Sequence, residues 1–319
     1  MKKAVVGLMV GIFLLVIAGS MSIGFAKDFK IGFAHVALNC PYYLAMKATA
    51  EEKAKEYGVG LLLLNAENDI EKQIKDVETM LLEGVDALIV NPVTEYGLRP
   101  VIQKAKQKNI PIVVIDRPMY GDYLVYVGID QWKAGRLQGE FIGQLLNGKG
   151  EIVEIAGDPG CPAGKGRGGG LREVFSEKYP DIKILATYMA HYNKAEGMKA
   201  MEDAIAAFGD EIDLVYAHND AMALGALDAL RAAGMTDIPV CGVDGQKEAY
   251  LEIMKGEQYK STVVNNPSEI TAVAFDILMQ YLETGQLPEG ISAGDKVITG
   301  TVLVTKENVE QYYDPNSIF

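Results

Sequence analysis

Residues 87–117, ALIVNPVTEYGLRPVIQKAKQKNIPIVVIDR, decide the fold. Ala87–Val90 is a short apolar run, and Ile112–Ile115 is a second one built from β-branched side chains, which suit a buried pleated surface. Between them Tyr96–Lys108 has a helical period. Strand, helix and strand in that order form a parallel crossover, whose helix must pack on a sheet face. Each strand ends on polar residues: Asn91-Pro92 after the first, Asp116-Arg117 after the second.

The same unit repeats outward in both directions. Before it the sequence predicts strand Phe29–Ala34, helix Pro41–Tyr57, strand Leu61–Leu64 and helix Ile70–Glu83, closed by Gly84. After it comes strand Tyr123–Val127. A second cycle runs through helix Gln131–Leu146, strand Ile152–Ile155, a Gly-rich loop, helix Leu171–Lys178 and strand Ile182–Tyr188. Helix Lys194–Phe208, strand Leu214–Ala217, helix Ala221–Ala233, strand Pro239–Val243 and helix Lys247–Lys255 follow. Strand Ser261–Val264, helix Ser268–Glu283 and a terminal strand Val297–Val304 close it. Two half-chains of like organisation predict an α/β protein of two doubly wound parallel-sheet domains.

Ligands of open α/β sheets bind beyond the carboxyl ends of the strands. Polar and aromatic residues gather there repeatedly: His35–Tyr43, Asn91, Asp116-Arg117, His191-Tyr192-Asn193, His218-Asn219-Asp220, Asp244-Gly245 and Asn265-Asn266. One such cluster is an ordinary solvated loop. Their recurrence at strand after strand describes a ligand-facing rim.

At these residues the sequence resembles the periplasmic pentose/hexose-binding family typified by ribose-binding protein. The resemblance rests on Leu38-Asn39-Cys40-Pro41-Tyr42-Tyr43, on Ile110–Arg117, on Ala217–Ala226 (AHNDAMALGA) and on Gly242-Val243-Asp244-Gly245. It implies a type I periplasmic binding fold whose chain crosses three times at a hinge. The implied N-terminal domain is 27–129 plus 265–298, and the C-terminal domain is 130–264 plus 299–319. The ligand it implies is a monosaccharide or polyol, delivered to the membrane permease of an ABC transporter by a monomeric, periplasmic carrier. By resemblance, Asp116 and Arg117 bind adjacent hydroxyls from one domain. Arg167, Asn219 and Asp244 do so from the other, Asn265 sits near the hinge, and Tyr42, Tyr43 and Tyr192 sandwich the ring. The chemistry agrees, because hydroxyls donate and accept at once and suit carboxylates, amides and guanidinium, while aromatic faces cover C–H surfaces.

Departures from the ribose-binding pattern bear on specificity. Cys40 stands where Asn is usual and Val36 where Ser is, so the pocket is expected to lose two hydrogen-bonding groups. Asn265 replaces Gln, and tyrosines replace phenylalanines at Tyr42, Tyr43 and Tyr192. A sugar or polyol site follows, but not ribose in particular.

Other signals lead elsewhere and carry less. Gly164-Lys165-Gly166-Arg167-Gly168-Gly169 fits GxGxxG formally, but it begins well after its strand. His35, His191 and His218 come without the spacing of a metal motif, and no metal or cofactor is expected. A net charge of −13 opposes nucleic-acid binding. A sugar-responsive regulator on the same core would need an N-terminal DNA-binding helix-turn-helix and a cytoplasmic address, and residues 1–26 read as offering neither. An exported enzyme would need catalytic residues, and no such order is legible. A receptor subunit presenting its closed form to a sensor or chemoreceptor is the alternative compatible with transport. Cys40 and Cys161 both fall near the expected cleft, and two unrelated thiols are the simpler reading of them than a disulfide lock.

Residues 1–26 read as a cleavable leader: Lys2 and Lys3, the apolar run Ala4–Ala18, then Gly24-Phe25-Ala26 as the cleavage site. No Cys precedes Cys40, so no lipid anchor is expected there. The mature chain is therefore expected to start at Lys27. Mass spectrometry of exported protein checks this, and a chain that retains Met1 overturns it.

Overall fold

The structure, a computed structural model, describes residues 28–158 and 160–319. The leader expected at residues 1–26 lies outside the described residues.

Six strands form one sheet: β1 (Lys30–His35), β2 (Gly60–Asn65), β3 (Ala87–Val90), β4 (Ile112–Ile115), β5 (Val125–Gly128) and β11 (Asp295–Ile298). Six form a second: β6 (Lys149–Ala156), β7 (Asp181–Met189), β8 (Leu214–Ala217), β9 (Val240–Cys241), β10 (Tyr259–Val263) and β12 (Leu303–Thr305). The strand orders are β2-β1-β3-β4-β5-β11 and β7-β6-β8-β9-β10-β12. Each sheet thus repeats the order second-first-third-fourth-fifth, and each carries a topological switch point beside its first strand. Every residue of β3, β4, β5 and β8 is buried. This accounts for their continuous apolar runs, since helices cover both faces of a parallel sheet.

The helices are α1 (Pro41–Tyr57), α2 (Ile70–Leu82), α3 (Arg99–Gln107), α4 (Gln131–Leu145) and α5 (Pro162–Lys178), then α6 (Lys194–Phe208), α7 (Asp220–Ala232), α8 (Lys247–Lys255) and α9 (Pro267–Thr284). Side-chain oxygens of Asp69, Asp130, Asn193, Asn219 and Asn266 cap α2, α4, α6, α7 and α9. Each such cap stabilises its helix by about 1 kcal/mol. Helix α3 starts at Arg99 rather than Tyr96, with a proline in its first turn. Tyr96 instead stacks on Tyr120 at 4.4 Å.

Two further expectations are corrected. The Gly-rich stretch before Leu171 is the first half of helix α5, not a loop. Glycine disfavours an isolated helix by about 1 kcal/mol per residue, but here tertiary packing requires it. A Cβ on Gly135 of α4 would lie 2.2 Å from the Arg167 carbonyl oxygen, and one on Gly170 would lie 2.2 Å from that of Trp132. Only glycines let the two helices approach this closely. The other correction concerns the terminal strand Val297–Val304, which is two strands in different sheets. β11 runs parallel to β5, and β12 runs antiparallel to β10.

Three segments therefore pass between the sheets: after β5, after β10, and between β11 and β12. They are bonded together. Thr299 N donates to Gly128 O at 2.9 Å, Asp130 N to Thr301 Oγ1 at 3.4 Å and Val264 N to Val302 O at 2.9 Å. Among the described residues, no helix is long and apolar enough to cross a membrane.

Because the obstacle at Gly135 is backbone, no rotamer change can relieve it. Gly135→Ala is expected to destabilise the protein by about 1–3 kcal/mol, and so to lower its melting temperature by several degrees at roughly 2–4 °C per kcal/mol. Gly60→Ala, where the nearest atom stands 3.6 Å away, serves as the control and is expected to melt as the wild type does.

Candidate functional site

Tyr42, Tyr43, Asp116, Arg117, Arg167, Tyr192, Asn219, Asp244 and Asn265 all line one cavity of about 460 Å³ at the carboxyl ends of the strands. Tyr42 and Tyr43 open α1, with Pro41 fixing the first turn. Asp116 follows β4 in a left-handed conformation (φ 61°), and Asp244 follows β9 at φ 128°. Arg167 projects from the glycine-rich half of α5, Asn219 caps α7, and Asn265 lies on the segment between β10 and α9.

These side chains form one connected polar network. Arg167 Nη2 pairs with Asp244 Oδ1 at 2.8 Å. Asp244 Oδ1 also accepts from Asn265 Nδ2 at 2.9 Å. The Tyr42 hydroxyl offers its proton to Asn265 Oδ1 at 3.2 Å and to Asp116 Oδ1 at 3.1 Å. Asp116 Oδ2 accepts from Asn91 Nδ2 at 3.1 Å. Asp116 and Asp244 thus stand at the two ends of a chain of hydrogen bonds that joins residues of both sheets.

Each charged group is held in place from behind. Arg117 donates to the Tyr43 hydroxyl at 2.7 Å and lies over the Tyr43 ring at 5.9 Å. Tyr43 is thus committed to orienting Arg117, and its ring stands at 80° to that of Tyr42. Arg167 donates to Gln131 Oε1 at 2.7 Å and to the His218 carbonyl. Asn219 uses its side-chain oxygen on Met222 N, and its amide NH₂ donates to the Tyr192 carbonyl at 3.5 Å, which leaves one amide hydrogen for the cavity. Among the described residues, the buried Tyr192 hydroxyl has no well-aligned hydrogen-bond partner, and Cys161 is its interacting side chain. Burial pushes the Asp116 and Asp244 carboxyls above the ordinary range, opposed by Arg117 at the first and Arg167 at the second. Burial also lowers His35 to about 4, so it is neutral.

Residues 31–287 match the periplasmic binding protein domain family. The chain belongs to that family. It is therefore a solute-binding protein and not an enzyme. The ribose import binding protein of Bacillus subtilis is 33% identical over 86% of this chain and 89% of its own length. The xylitol-binding protein of Mycolicibacterium smegmatis is 33% identical over 81% of this chain and 72% of its own. The crystal structure of a galactofuranose binding protein superposes with a TM-score of 0.83 at 29% identity, over 91% of this chain and all of that one. These relatives bind sugars or a polyol.

The expectation that Cys40 and Val36 both remove polar groups from the pocket holds only for Cys40. Cys40 lines the cavity, whereas Val36 is fully buried and outside it. Cys40 and Cys161 both reach the cavity as free thiols.

Sequence reasoning overlooked several residues that shape this binding protein's cleft. Gln131 and Phe319 were given no role, and Asn91 and Asp220 were placed on the rim without one. Asp220 is fully buried and accepts from Gly245 N and Gln246 N at 2.8 Å each, from Tyr259 Oη at 2.7 Å and from Thr262 Oγ1 at 2.8 Å. It fixes the turn that carries Asp244. A polar side chain at a helix start beside a buried strand was the available signal.

Burial, with Asp244 nearby, raises the Asp220 carboxyl from 3.8 to about 7. Its folded value lies above its unfolded one, so the native state keeps a proton that the unfolded chain releases. The stability this contributes is present below pH ~4 and lost as pH rises to ~7. Wild type is expected to lose stability relative to Asp220→Asn across that window, with parallel curves above it. Urea unfolding of both at pH 4, 5.5 and 7.5 measures the difference, and a constant gap would refute it.

Proposed function

We propose that the chain captures a neutral monosaccharide or polyol in this cleft and delivers it to an ABC transporter permease. The observation that carries this reading is the cavity itself, whose polar groups come from both sheets. Its volume falls within the roughly 300–1,000 Å³ of small-molecule sites. Two carboxylates and two guanidinium groups facing one space supply acceptors and forked donors for vicinal hydroxyls, without the uncompensated charge an ionic ligand would need. The relatives' ligands (a pentose, an open-chain pentitol and a furanose) share only a dense array of hydroxyls on a small carbon frame.

In this reading Asp116 and Arg117 hold hydroxyls from one side, and Arg167, Asn219 and Asp244 hold them from the other. Asn265 reports on both, and Tyr42, Tyr43 and Tyr192 bound the ring. The moving bodies are 27–129 with 265–298, and 130–264 with 299–319. They turn about the three crossing segments, and the protein works as an exported monomer in the periplasm. A ligand drives closure because only the closed form lets it touch both bodies.

A thermal-shift panel of pentoses, hexoses, deoxy sugars, polyols and cyclitols, with amino acids as controls, tests the proposal. A true ligand at 1,000 times its Kd adds about 4 kcal/mol, a rise of several degrees. Asp116→Ala and Asp244→Ala are each expected to weaken binding at least about tenfold, or about 1.4 kcal/mol. A response confined to amino acids, or variants that bind as wild type does, would overturn it.

A further inference from the structure

The cavity has one wall that the sequence rim did not announce. Phe319 lies far in sequence from every other lining residue, yet it is only 9% exposed and borders the cavity. Its ring meets that of Tyr42 edge to face, with centroids 5.3 Å apart at 85°. The segment that brings it there is tethered. Lys247, the first residue of α8, donates to the carbonyls of Pro315 and Ser317. Ser317 then closes on Phe319 through Oγ, which donates to Phe319 O at 2.5 Å and accepts from Phe319 N at 3.2 Å.

The tether and the contact belong to different sheets. Lys247 lies three residues after Asp244, and Tyr313 and Tyr312 pack on the core of the second sheet. Tyr42 stands on α1, which packs against β2 of the first sheet. Phe319 also borders a second cavity, of about 540 Å³, lined in part by α1, the start of α9 and residues 316–319. One residue thus borders two spaces, and Tyr42 is both its ring partner and the middle of the polar network that joins Asp116 to Asp244.

We propose that Phe319 is an apolar wall of the ligand site and that residues 315–319 form a strap which seats this wall against Tyr42 when the cleft closes. The proposal rests on the reading of the cleft as a carbohydrate site and adds to it a selectivity. A ring with no polar atom favours ligands that turn a C–H face, not a hydroxyl, toward Phe319, since a hydroxyl buried against it would lack a partner. A contact made only in the closed form should act on the rate of escape rather than of capture.

The test compares wild type, Phe319→Ala, Phe319→Tyr and a chain lacking residues 315–319, using the strongest ligand of the sugar and polyol panel. Stopped-flow kinetics and calorimetry supply the readouts. Phe319→Ala and the deletion are expected to raise koff and Kd at least about tenfold, with kon within about threefold of wild type. Phe319→Tyr, which keeps the ring, is expected to restore most of the loss. Ligand-free melting temperatures within a few degrees of wild type confirm that the variants fold. A Kd for Phe319→Ala within about twofold of wild type overturns the wall while leaving the carbohydrate reading intact. Wild type that binds no member of the panel overturns both.

Discussion

The pairing of Arg167 with Asp244 is the interaction on which the cleft depends. Their side chains are 3% and 10% exposed and meet at 2.8 Å. Removing either ion from water costs several kcal/mol, and a buried pair recovers that only when its remaining donors and acceptors are also satisfied. Part of this is met within the protein: Gln131 and the His218 carbonyl take two more guanidinium donors, and Asn265 gives a second bond to the carboxylate. The arrangement therefore demands accuracy from everything behind it. The Asp220 carboxylate fixes the turn that presents Asp244, and the close approach of α4 and α5 fixes Arg167. Glycine at 135 is what permits that approach.

A second helix pair uses the same device. A Cβ on Gly225 of α7 would lie 2.1 Å from the Lys194 carbonyl, and one on Gly197 of α6 would lie 2.6 Å from that of Met222. Both contacts stand near the amino-terminal ends of their helices, where Asn193 and Asn219 cap them beside the cleft. Close backbone packing of this kind leaves little room for rotamer adjustment, so the caps hold fixed positions relative to the strands. Rigidity of the rim is thus assembled from contacts that contain almost no side chain.

Much of this was legible in the sequence, for a physical reason. Buried parallel strands require unbroken apolar runs and their helices require a 3.6-residue period, so α1, β3, β4, α6, β8 and α8 begin and end where the patterning says. The rim residues were legible because strand ends in such a fold have one place to point. What escaped had no local signature. Glycines at 164–170 argue for a loop until a second helix is laid against them, and the break between β11 and β12 follows from which sheet each half joins. Phe319 sits in a stretch without periodicity, and only the chain's return across the cleft gives it a neighbour.

Positive φ angles at Asp116, His191, Tyr192 and Asp244 mark where the molecule accepts a backbone that an L side chain adopts reluctantly. Such positions cost of order 1–3 kcal/mol each when they fall outside the comfortable left-handed basin, as Asp244 does at 128°. Glycine would relax the main chain there and erase the side chain that faces the cleft. At Asp244, however, glycine would also leave the buried Arg167 guanidinium unpaired, a loss of about 3–5 kcal/mol that outweighs the relief. A laboratory selection that rewarded thermal endurance alone would therefore keep this strained residue, and the cleft side chain with it.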